Sequence, residues 1–414
     1  MKPLKILISA YACQPAMGSE PGVGWNVGQE LAKYHQVWVL TRRNNRPAIE
    51  AELLVRPNAN LTFLYCDPPG PARWLPPTQV PHYYGWQIGA YFAAKALLQQ
   101  VDLDLIHHVT YVRYSTPSFL ALLPVPFVWG PVGGGEAAPA AFWQGFSRRG
   151  QGYEVLRSLI HRLGELDPFT QMTARRSVLI QATTADTALR LQHIGAKDVR
   201  ISPAIGLSQQ ELQQLSMLKL ATAPKDKVRF VSVARLLHWK GLHLSLRAFA
   251  EANLDKAEYW ILGEGPEKQR LQAIAADLGL SERVKFLGSL PRTEVLAQLQ
   301  QCDVLLHPSL HESGGLVCLE AMAAGLPVIC LDLGGPSLQV TAETGCKIVA
   351  HTPQQTIQDL AAAIAQLAQD PQLRTQMGQA GQQRVQDKFS WAAKGQELIQ
   401  HYAEICREVA PCAF

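Results

Sequence analysis

One stretch, residues 303–336, constrains the fold more than any other because strand, loop and helix signals alternate along it. The apolar run Val304–Leu306 is short and is soon followed by Pro308, as expected for a buried strand. A helix is predicted at about 316–324, and a second apolar strand follows at 328–331. The stretch is therefore predicted to be a βαβ unit of an α/β protein.

The loop before this predicted helix has the features of an anion-binding loop. Ser313 is available as the N-terminal cap, and Gly325 stands where a left-handed residue can end the helix. In a βαβ unit the loop opens at the carboxyl end of the strand, where free N–H groups of the helix attract an anion. Gly314 and Gly315 would let a ligand approach this backbone closely.

Two carboxylates accompany the loop. Glu312 precedes the helix and Glu320 lies about a turn inside it, so they should reach different parts of one elongated ligand. The alternative is that Glu320 is a helix-start carboxylate favoured by the helix dipole and that Glu312 is a solvated loop residue.

The segment from Glu312 to Glu320 resembles the E-x7-E signature of retaining, nucleotide-sugar-dependent glycosyltransferases with the GT-B architecture, in particular the large family 4, or group 1. Further blocks that match this family in order are Ala234–Gly241, Trp260–Pro266 and Val284–Pro291. The resemblance implies an α/β GT-B fold, with two Rossmann-like parallel-sheet domains that face a deep interdomain cleft. It also implies a C-terminal helix that crosses back to the first domain.

The length of the chain favours two domains, because 414 residues exceed what one hydrophobic core usually organises. We predict an N-terminal acceptor-binding domain at 1–206, to which a crossover helix at 390–414 returns. We predict a C-terminal donor-binding domain at 207–389.

Composition excludes several other classes. The net charge of +4, from 38 basic and 34 acidic residues, is too small to indicate a nucleic-acid partner. The eight cysteines form no C-x-x-C pair, so neither a zinc site nor a disulfide framework is predicted. The apolar N-terminal run leads into a glycine-rich loop and is predicted to be a strand, not a signal peptide, and no apolar run reaches about 18 residues. We therefore expect a cytoplasmic protein.

A glycine-rich loop at 12–24 is predicted to follow the first strand. The strict G-x-G-x-x-G pattern is absent, which disfavours a dinucleotide site. The resemblance places this loop at the cleft, with Gly22 near the donor diphosphate and Glu20 toward the acceptor.

A second glycine-rich loop, 130–136, can also bring backbone near a ligand, and we assign Gly134 and Glu136 to the acceptor side. The following segment, 142–169, is interpreted as an insertion with several arginines. Most basic helices are solvated faces, but this one is a candidate contact for an acidic or lipid-linked acceptor, with peripheral attachment at the inner membrane face.

The histidine pair His107-His108 ends a predicted strand. Members of the resembled family carry Asp-x-x-His-x-His here, and their last histidine lies beside the transferred sugar. In this chain that position falls on Val109, so we assign the role to His108, with a buried structural histidine as the alternative. Asp102 and Asp104 spell the D-x-D of metal-dependent transferases, but they lie where a strand should start, and no metal site is predicted.

Arg235 and Lys240 follow the predicted strand 228–233 and adjoin a helix start. A planar guanidinium and a point charge at this spacing could clamp a diphosphate, and the block matches the Arg…Lys-Gly motif of the resembled family. In that family the loop after the strand that ends at Gly288 holds the nucleobase through backbone groups.

Together these blocks imply transfer of a sugar from a UDP- or GDP-type donor to a glycan, lipid-linked or small-molecule acceptor. Glu312 would hold sugar hydroxyls, and Glu320 would accept hydrogen bonds from the ribose. No metal or cofactor is expected, because the leaving diphosphate would be stabilised by Arg235, Lys240 and the amides of Gly315, Leu316 and Val317. The alternatives are an epimerase or glycan phosphorylase of the same architecture, or a non-catalytic nucleotide-sugar-binding partner.

Overall fold

A computed structural model describes residues 2–77, 80–217 and 226–409 of the chain. The chain divides into two compact units. Unit 1 contains the residues up to Gly135, the range Ser158–Gly206 and the residues from Trp391 onward. Unit 2 contains Glu136–Arg157 and Leu207–Ser390.

Unit 1 is built on a parallel sheet of seven strands. Its strands are β1 (Lys5–Ala10), β2 (Gln36–Thr41), β3 (Leu61–Tyr65), β4 (Leu105–Thr110), β5 (Phe127–Val132), β6 (Leu179–Ala182) and β7 (Val199–Ile201). They lie in the order β3-β2-β1-β4-β5-β6-β7. The helices along this part of the chain are α1 (Ser19–Ala32), α2 (Arg46–Val55), α3 (Val80–Leu97), α4 (Arg148–Leu166), α5 (Pro168–Arg176) and α6 (Ala185–His193). Of these, α4 begins in unit 2 and ends in unit 1.

Side chains of β1 alternate between two cores, one on each face of the sheet. Ile6 and Ile8 belong to one core and Leu7 to the other, and none of the three has exposed surface. A parallel sheet that is covered on both faces buries both sets of side chains, which explains the nearly continuous apolar runs of the sequence.

Unit 2 is built on a parallel sheet of six strands. They are β8 (Val228–Val233), β9 (Ala257–Leu262), β10 (Val284–Gly288), β11 (Val304–His307), β12 (Val328–Leu331) and β13 (Gly345–Ile348), in the order β10-β9-β8-β11-β12-β13. The helices are α7 (Gln209–Met217), α8 (Leu242–Glu251), α9 (Lys268–Asp277), α10 (Arg292–Gln300), α11 (Leu316–Ala323), α12 (Gly334–Gln339), α13 (Pro353–Gln369) and α14 (Pro371–Lys388). The two parallel sheets confirm the predicted α/β class.

The last described helix, α15 (Trp391–Val409), belongs to unit 1. Trp391 and Tyr402 are buried in the core that contains Ile6, and the Tyr402 hydroxyl lies 2.5 Å from Nδ1 of His107. The chain thus returns to the first unit after α14. Residues 410–414 of the predicted crossover helix lie outside the described residues.

The structure corrects the predicted domain boundary at one place. Residues 136–157 were assigned to the N-terminal domain, but they belong to unit 2. Phe142 is fully buried and Phe146 is 4% exposed, and both lie in the core of unit 2 with Phe230 and Phe249. Burying two phenylalanine side chains contributes on the order of 2 kcal/mol each, which accounts for the attachment of this segment.

Two further features of the described residues concern membrane spans and cysteines. None of the described helices has the length and apolar character that crossing a membrane requires. The seven cysteines within the described residues all carry free thiols.

Candidate active site

Loops from two neighbouring strands of unit 2 meet at the carboxyl edge of the sheet. β8 lies between β9 and β11, so the strand order reverses there. Open α/β sheets bind ligands at such a switch point, because the loops on either side diverge and leave a crevice. The loop after β8 carries Arg235 and Lys240, and the loop after β11 carries Glu312. The N–H of Leu310 donates to the carbonyl of Trp239 at 2.8 Å and joins the two loops.

Lys240 and Glu312 form an ion pair between these loops, through Nζ and Oε2. The other carboxylate oxygen of Glu312 accepts from the N–H groups of Gly314 and Gly315, both at 3.4 Å. Burial alone would raise the pKa of Glu312, but Lys240, His307 and the Gly315 N–H outweigh it and lower that pKa to about 2. The two predicted catalytic groups are therefore adjacent, and the carboxylate is charged at neutral pH.

Sequence reasoning missed His307, the last residue of β11. Its side chain is 5% exposed, and Nε2 lies 4.0 Å from Oε2 of Glu312. Burial and the positive charge of Lys240 lower the pKa of His307 to about 4, so the ring is neutral at neutral pH. Its position at the end of a buried strand, just before the predicted ligand loop, is the signal that could have identified it.

Two glycines allow the backbone to close tightly around this pair. Gly241 has φ of +65°, and a Cβ there would lie 1.9 Å from the carbonyl oxygen of Pro308. Gly334 has φ of +59°, and a Cβ there would lie 2.2 Å from the carbonyl oxygen of Glu312. Only glycine fits both the conformation and the space at these two positions. Gly241 therefore lets the loop of Lys240 pack against Pro308, and Gly334 lets its own loop pack against the backbone of Glu312.

The N-terminus of α11 faces the same loop but has a different cap from the predicted one. Gly315 is the N-cap residue, with φ of +68°, and no side chain caps this end. Ser313 instead donates its hydroxyl hydrogen to Oε2 of Glu136 at 2.5 Å. Leu316 and Val317 are thus the first residues of the helix, where backbone N–H groups have no partner within the helix. These are the amides that the sequence assigned to a diphosphate.

Glu320 lies inside α11 and is 6% exposed. Arg292 lies 2.8 Å from its Oε1 and also donates to Glu211 at 2.7 Å. Burial raises the pKa of Glu320 to about 7, and Arg292 offsets this only in part. The proposed contact of Glu320 with a ribose stays a prediction.

A cavity of about 600 Å³ opens at the ends of β8, β9 and β10. Arg235 lines it, together with Leu262, Gly263, Ser289 and Leu290. A cavity of this volume can accommodate a nucleoside. The predicted position Gly288 lies at this edge, with φ of +72°, and its carbonyl accepts from the N–H of Gly263 at 2.7 Å.

The predicted histidine of the first half is not accessible. His108 has no exposed surface, and its ring nitrogens lie 2.8 Å from the hydroxyl of Ser9 and 2.9 Å from that of Tyr83. Burial and His107 lower the pKa of His108 to about 3. His107 is also fully buried, between Tyr402 and the carbonyl of Gly130. The structure thus supports the structural alternative, and His108 is not included in the site.

The remaining predicted residues of unit 1 lie in or near its loops. Gly22 lies inside α1, which begins at Ser19, and not in a loop; a Cβ there would lie 2.1 Å from the carbonyl oxygen of Met17. Glu20 accepts from the N–H of Tyr111 at 2.7 Å. Gly134 has φ of +90°, and a Cβ there would meet no atom within 4 Å. The role of Gly22 next to a diphosphate and the acceptor roles of Glu20 and Gly134 stay predictions.

Glu136 was assigned to the acceptor side of the first domain, and the structure corrects this. It belongs to unit 2, is 2% exposed and accepts from the hydroxyl of Ser313. The residue therefore supports the loop that carries Glu312. The sequence gives no sign of this, because the contact depends on how the segment 136–157 packs.

Sequence reasoning also missed Glu154, one of the two acidic residues of the mostly basic helix α4. It is 1% exposed and accepts from Nε2 of His238 at 2.9 Å. Burial alone would raise the pKa of Glu154, but His238, His311 and Arg157 outweigh it and lower that pKa to about 2. A charged, buried carboxylate therefore lies next to the loops of the site.

No metal-binding cluster accompanies these groups. Within residues 2–77, 80–217 and 226–409, no group of three or more histidine, cysteine, aspartate or glutamate side chains is arranged to hold a metal ion. Arg235, Lys240 and Glu312 are the charged side chains that the two loops after β8 and β11 offer to a ligand, and Glu264 also lines the cavity beside Arg235.

Comparisons with known proteins agree with this geometry. The family model described as "Glycosyl transferases group 1" matches residues 219–384. The chain is 29% identical over 239 residues to the lipopolysaccharide core biosynthesis glycosyltransferase LpsD of Rhizobium meliloti, which covers 56% of this chain and 65% of that protein. It is 35% identical over 184 residues to the D-inositol 3-phosphate glycosyltransferase of Corynebacterium jeikeium, which covers 42% of each chain. The matched regions span less than two thirds of the length of these relatives.

Two solved structures resemble nearly the whole chain. Sucrose-phosphate synthase from Thermosynechococcus elongatus superposes with a TM-score of 0.64 at 19% identity, over 97% of this chain and 99% of that one. Anabaena Alr3699/HepE in complex with UDP and glucose superposes with a TM-score of 0.59 at 19% identity, over 97% of this chain and 100% of that one. At such identities the likeness shows the fold, and the protein has the GT-B architecture.

The family match lies on the part of the chain that carries the site. Over residues 219–384, the chain is similar to the group 1 glycosyltransferases.

Proposed function

We propose that this protein is a retaining glycosyltransferase that moves a sugar from a nucleoside diphosphate sugar to an acceptor hydroxyl. The observation that carries the proposal is the Lys240–Glu312 pair beside the N-terminus of α11. A cation and a helix N-terminus suit a leaving diphosphate. A buried, charged carboxylate beside them suits the positive charge that develops on the anomeric carbon.

Donor binding begins with an exchange of partners. The donor diphosphate replaces Glu312 as the partner of Lys240, and Arg235 and the N–H groups of Leu316 and Val317 stabilise the rest of its charge. Glu312, freed from Lys240, holds the hydroxyls of the sugar. Donor binding therefore breaks the ion pair between Lys240 and Glu312. Lys240 gains the diphosphate as a charged partner in its place.

Transfer then takes place on one face of the sugar. The bond from the anomeric carbon to the phosphate oxygen breaks, and the acceptor oxygen bonds to that carbon on the same face. The acceptor proton passes to the departing phosphate oxygen, so no protein base is required. We propose no metal or cofactor, because the cations and amides of this site supply the stabilisation of the leaving group.

The cavity beside Arg235 is the proposed place of the nucleoside. Its volume and its lining by Ser289 and Leu290, which directly follow Gly288, support binding of a base in this cavity. The Anabaena structure that shares the fold is a complex with UDP and glucose, so UDP-sugars are the donors to test first, with GDP-sugars next. Glu320 is the proposed acceptor of hydrogen bonds from the ribose hydroxyls.

The acceptor is a glycan, a lipid-linked sugar or a small molecule. The two relatives described above carry names that refer to lipopolysaccharide core biosynthesis and to D-inositol 3-phosphate. Lipopolysaccharide core sugars and inositol phosphates both offer hydroxyl groups as acceptors. Because the first relative is named for lipopolysaccharide core biosynthesis, polysaccharide biosynthesis is the proposed process. Glu20 and Gly134 of unit 1 are the proposed acceptor-side residues.

The function is tested by incubating the protein with UDP-glucose and a pool of oligosaccharide and inositol phosphate acceptors in the presence of EDTA. Retention predicts that the product keeps the anomeric configuration of the donor, which proton NMR of the anomeric coupling measures. Inversion, or transfer only after a metal is added, contradicts the mechanism. Conversion of the donor into its epimer without an acceptor supports the epimerase alternative instead.

We also propose that the enzyme acts in the cytoplasm, in peripheral contact with the inner membrane face. Within unit 1, α4 turns Leu159, Ile160, Leu163 and Leu166 to solvent, each between 52% and 72% exposed. Its carboxylate Glu165 turns inward and pairs with an arginine at 2.7 Å. A helix whose apolar side chains face water, on a segment that also carries arginines, is suited to an anionic lipid surface.

Vesicle sedimentation tests this contact. We expect the protein to bind vesicles that contain phosphatidylglycerol and to bind those of phosphatidylcholine alone more weakly. Leu163→Gln with Leu166→Gln should abolish this binding, whereas Leu54→Gln, at a position that is 85% exposed elsewhere in unit 1, should not. Unchanged binding of the double variant contradicts the proposed surface, and dimer formation through α4 would show a protein partner instead.

A further inference from the structure

The segment 136–157, which we name the brace, is attached firmly to the body of unit 2. Phe142 and Phe146 lie in the core of this unit. Arg270 donates to the carbonyl of Gly145 at 2.6 Å, and the Ser147 hydroxyl donates to Glu267 at 2.9 Å. We name residues 234–241 after β8 and 308–315 after β11 the two ligand loops. The bonds of Gly145 and Ser147 lie outside these loops, so the brace has an anchor of its own, although Phe146 also packs against His238 with ring centroids 4.8 Å apart.

One carboxylate of the brace reaches both ligand loops. Oε1 of Glu154 accepts from Nε2 of His238 at 2.9 Å and lies 3.4 Å from Nε2 of His311. His238 is two residues before Lys240, and His311 directly precedes Glu312. The same oxygen therefore connects the neighbours of both members of the catalytic pair.

An aromatic stack runs parallel to this connection. The ring of Tyr153 stacks on Trp239, and Trp239 stacks on His311, each with centroids 5.0 Å apart and planes inclined by 18°. Trp239 directly precedes Lys240. At Gly150 a Cβ would lie 2.8 Å from Cγ of His238, so the helix approaches that ring as closely as its backbone allows.

A third contact lies on the other side of Glu312. Oε2 of Glu136 accepts from the hydroxyl of Ser313, and Arg157 donates to the carbonyl of Glu136 at 2.6 Å. The brace thus holds the residues on both sides of Glu312, through His311 and Ser313.

We infer that the brace positions the two ligand loops for catalysis, with Glu154 as the central positioning residue. The inference rests on the proposed function, because it concerns the geometry in which Lys240 and Glu312 meet the donor. When the donor separates this pair, their mutual attraction no longer holds the loops together. The contacts through His238, His311 and Ser313 persist, so the loops stay in place while the pair opens.

The consequence concerns kcat more than donor affinity. Loops that are loosened by removal of Glu154 can still bind a diphosphate, because the cations remain. The carboxylate of Glu312 then samples positions away from the anomeric carbon. A displacement of about 1 Å at a reacting group can cost about 100-fold in rate, so we expect Glu154→Ala to lower kcat by about 10- to 100-fold and to change KM for the donor far less.

Hydrogen exchange provides a readout that does not depend on activity. In Glu154→Ala without any ligand, we expect faster amide exchange in peptides that cover 236–241 and 310–316, because these are the loops that lose an anchor. The matched control is Glu258→Ala on β9, which removes another largely buried, ion-paired carboxylate of unit 2. This carboxylate contacts Lys227, Arg229, Trp260 and Lys285. Glu258→Ala should leave exchange in the two loops and kcat unchanged.

Two further variants separate positioning from folding. Glu154→Gln keeps an oxygen that accepts from His238, so it should retain more activity than Glu154→Ala. If Glu154→Ala does not fold, Tyr153→Ala provides the same test, because it removes a ring that is 45% exposed and stacks on Trp239. We expect Tyr153→Ala to accelerate amide exchange in the same loops.

The outcomes distinguish failure of the proposed function from failure of the positioning role of the brace. If wild-type protein transfers no sugar, the proposed function fails, while loop exchange still tests the brace. If Glu154→Ala and Tyr153→Ala leave exchange in both loops unchanged, or if Glu258→Ala lowers kcat as much as Glu154→Ala, the positioning role is overturned.

Discussion

Glu312 and Lys240 pair directly across the two loops that leave β11 and β8, with side chains that are only 20% and 16% exposed. The pair occupies the position where the proposed donor phosphate and sugar would meet. In the free protein the carboxylate and the ammonium group are partners of each other. Neither is therefore buried as an unpaired ion, and both charges are in place before the ligand binds.

The first prediction concerns Glu312 itself. Glu312→Ala should abolish sugar transfer, because no other carboxylate of the two ligand loops can hold the sugar hydroxyls. It should leave the affinity for the nucleoside diphosphate within about one order of magnitude, since Lys240 loses a competing partner. Transfer is measured with radiolabelled donor and affinity by calorimetry. Near-wild-type transfer would remove Glu312 from its proposed role.

The second prediction concerns the cations. Arg235→Ala combined with Lys240→Ala should weaken binding of UDP or GDP by about 10- to 1,000-fold, because two charge-assisted contacts of roughly 1–2 kcal/mol each are lost. The matched control is Lys285→Ala with Arg283→Ala, which removes two cations elsewhere in unit 2. Unchanged affinity in the first variant would contradict the clamp.

The third prediction concerns Gly241. Gly241→Ala combines a φ of +65° with a Cβ 1.9 Å from a carbonyl oxygen, so the loop must move. We expect a loss of more than about 2 kcal/mol of unfolding free energy and loss of donor binding. Gly279→Ala is the control, because φ there is +68° but nothing lies within 4 Å, and it should cost only about 1 kcal/mol and leave donor binding intact. Equal effects of both changes would contradict the close approach.

The fourth prediction concerns acid stability. The pKa of Glu312 is lowered to about 2 in the folded protein, so its charge stabilises the fold above its unfolded pKa near 4.5. That contribution, on the order of 3 kcal/mol, is lost as the pH falls from about 4.5 to about 2. Glu312→Gln should therefore show a shallower loss of stability across this window than the wild type, in urea titrations at each pH. Parallel curves would contradict the assigned charge.

The fifth prediction concerns the anchor of the brace. Phe142→Ala removes a fully buried ring from the core of unit 2 and should cost about 3–5 kcal/mol of unfolding free energy. Calorimetry measures the loss, and Leu122→Ala at a 40% exposed position of unit 1 serves as the control. A cost below about 1 kcal/mol would show that the segment is not part of this core.

The ligand loops could be predicted from the sequence because their signals are local. A short apolar run, two glycines and a helix pattern predicted the βαβ unit, and α11 begins at Leu316 as expected. Lys240 and Glu312 meet because adjacent parallel strands bring the loops at their carboxyl ends together, which follows from topology.

The predictions that were wrong concern contacts that depend on tertiary packing, and local sequence patterns carry no information about such contacts. Gly315, not Ser313, is the N-cap of α11, since the Ser313 hydroxyl is already bonded to Glu136. His108 was assigned from the histidine motif of the resembled family, although the register of that motif falls on Val109, and the His108 ring is fully buried. Glu154 could not be assigned at all, because its two histidine neighbours are 84 and 157 residues away in sequence.

The central claim is tested most directly by calorimetric titration of UDP, GDP, ADP and their sugars into the wild-type protein, with EDTA and then with magnesium. The account predicts tight binding of one nucleoside diphosphate and its sugar in EDTA, unchanged by magnesium and weakened in Arg235→Ala with Lys240→Ala. Binding that requires magnesium, or no binding of any of these ligands, would contradict it.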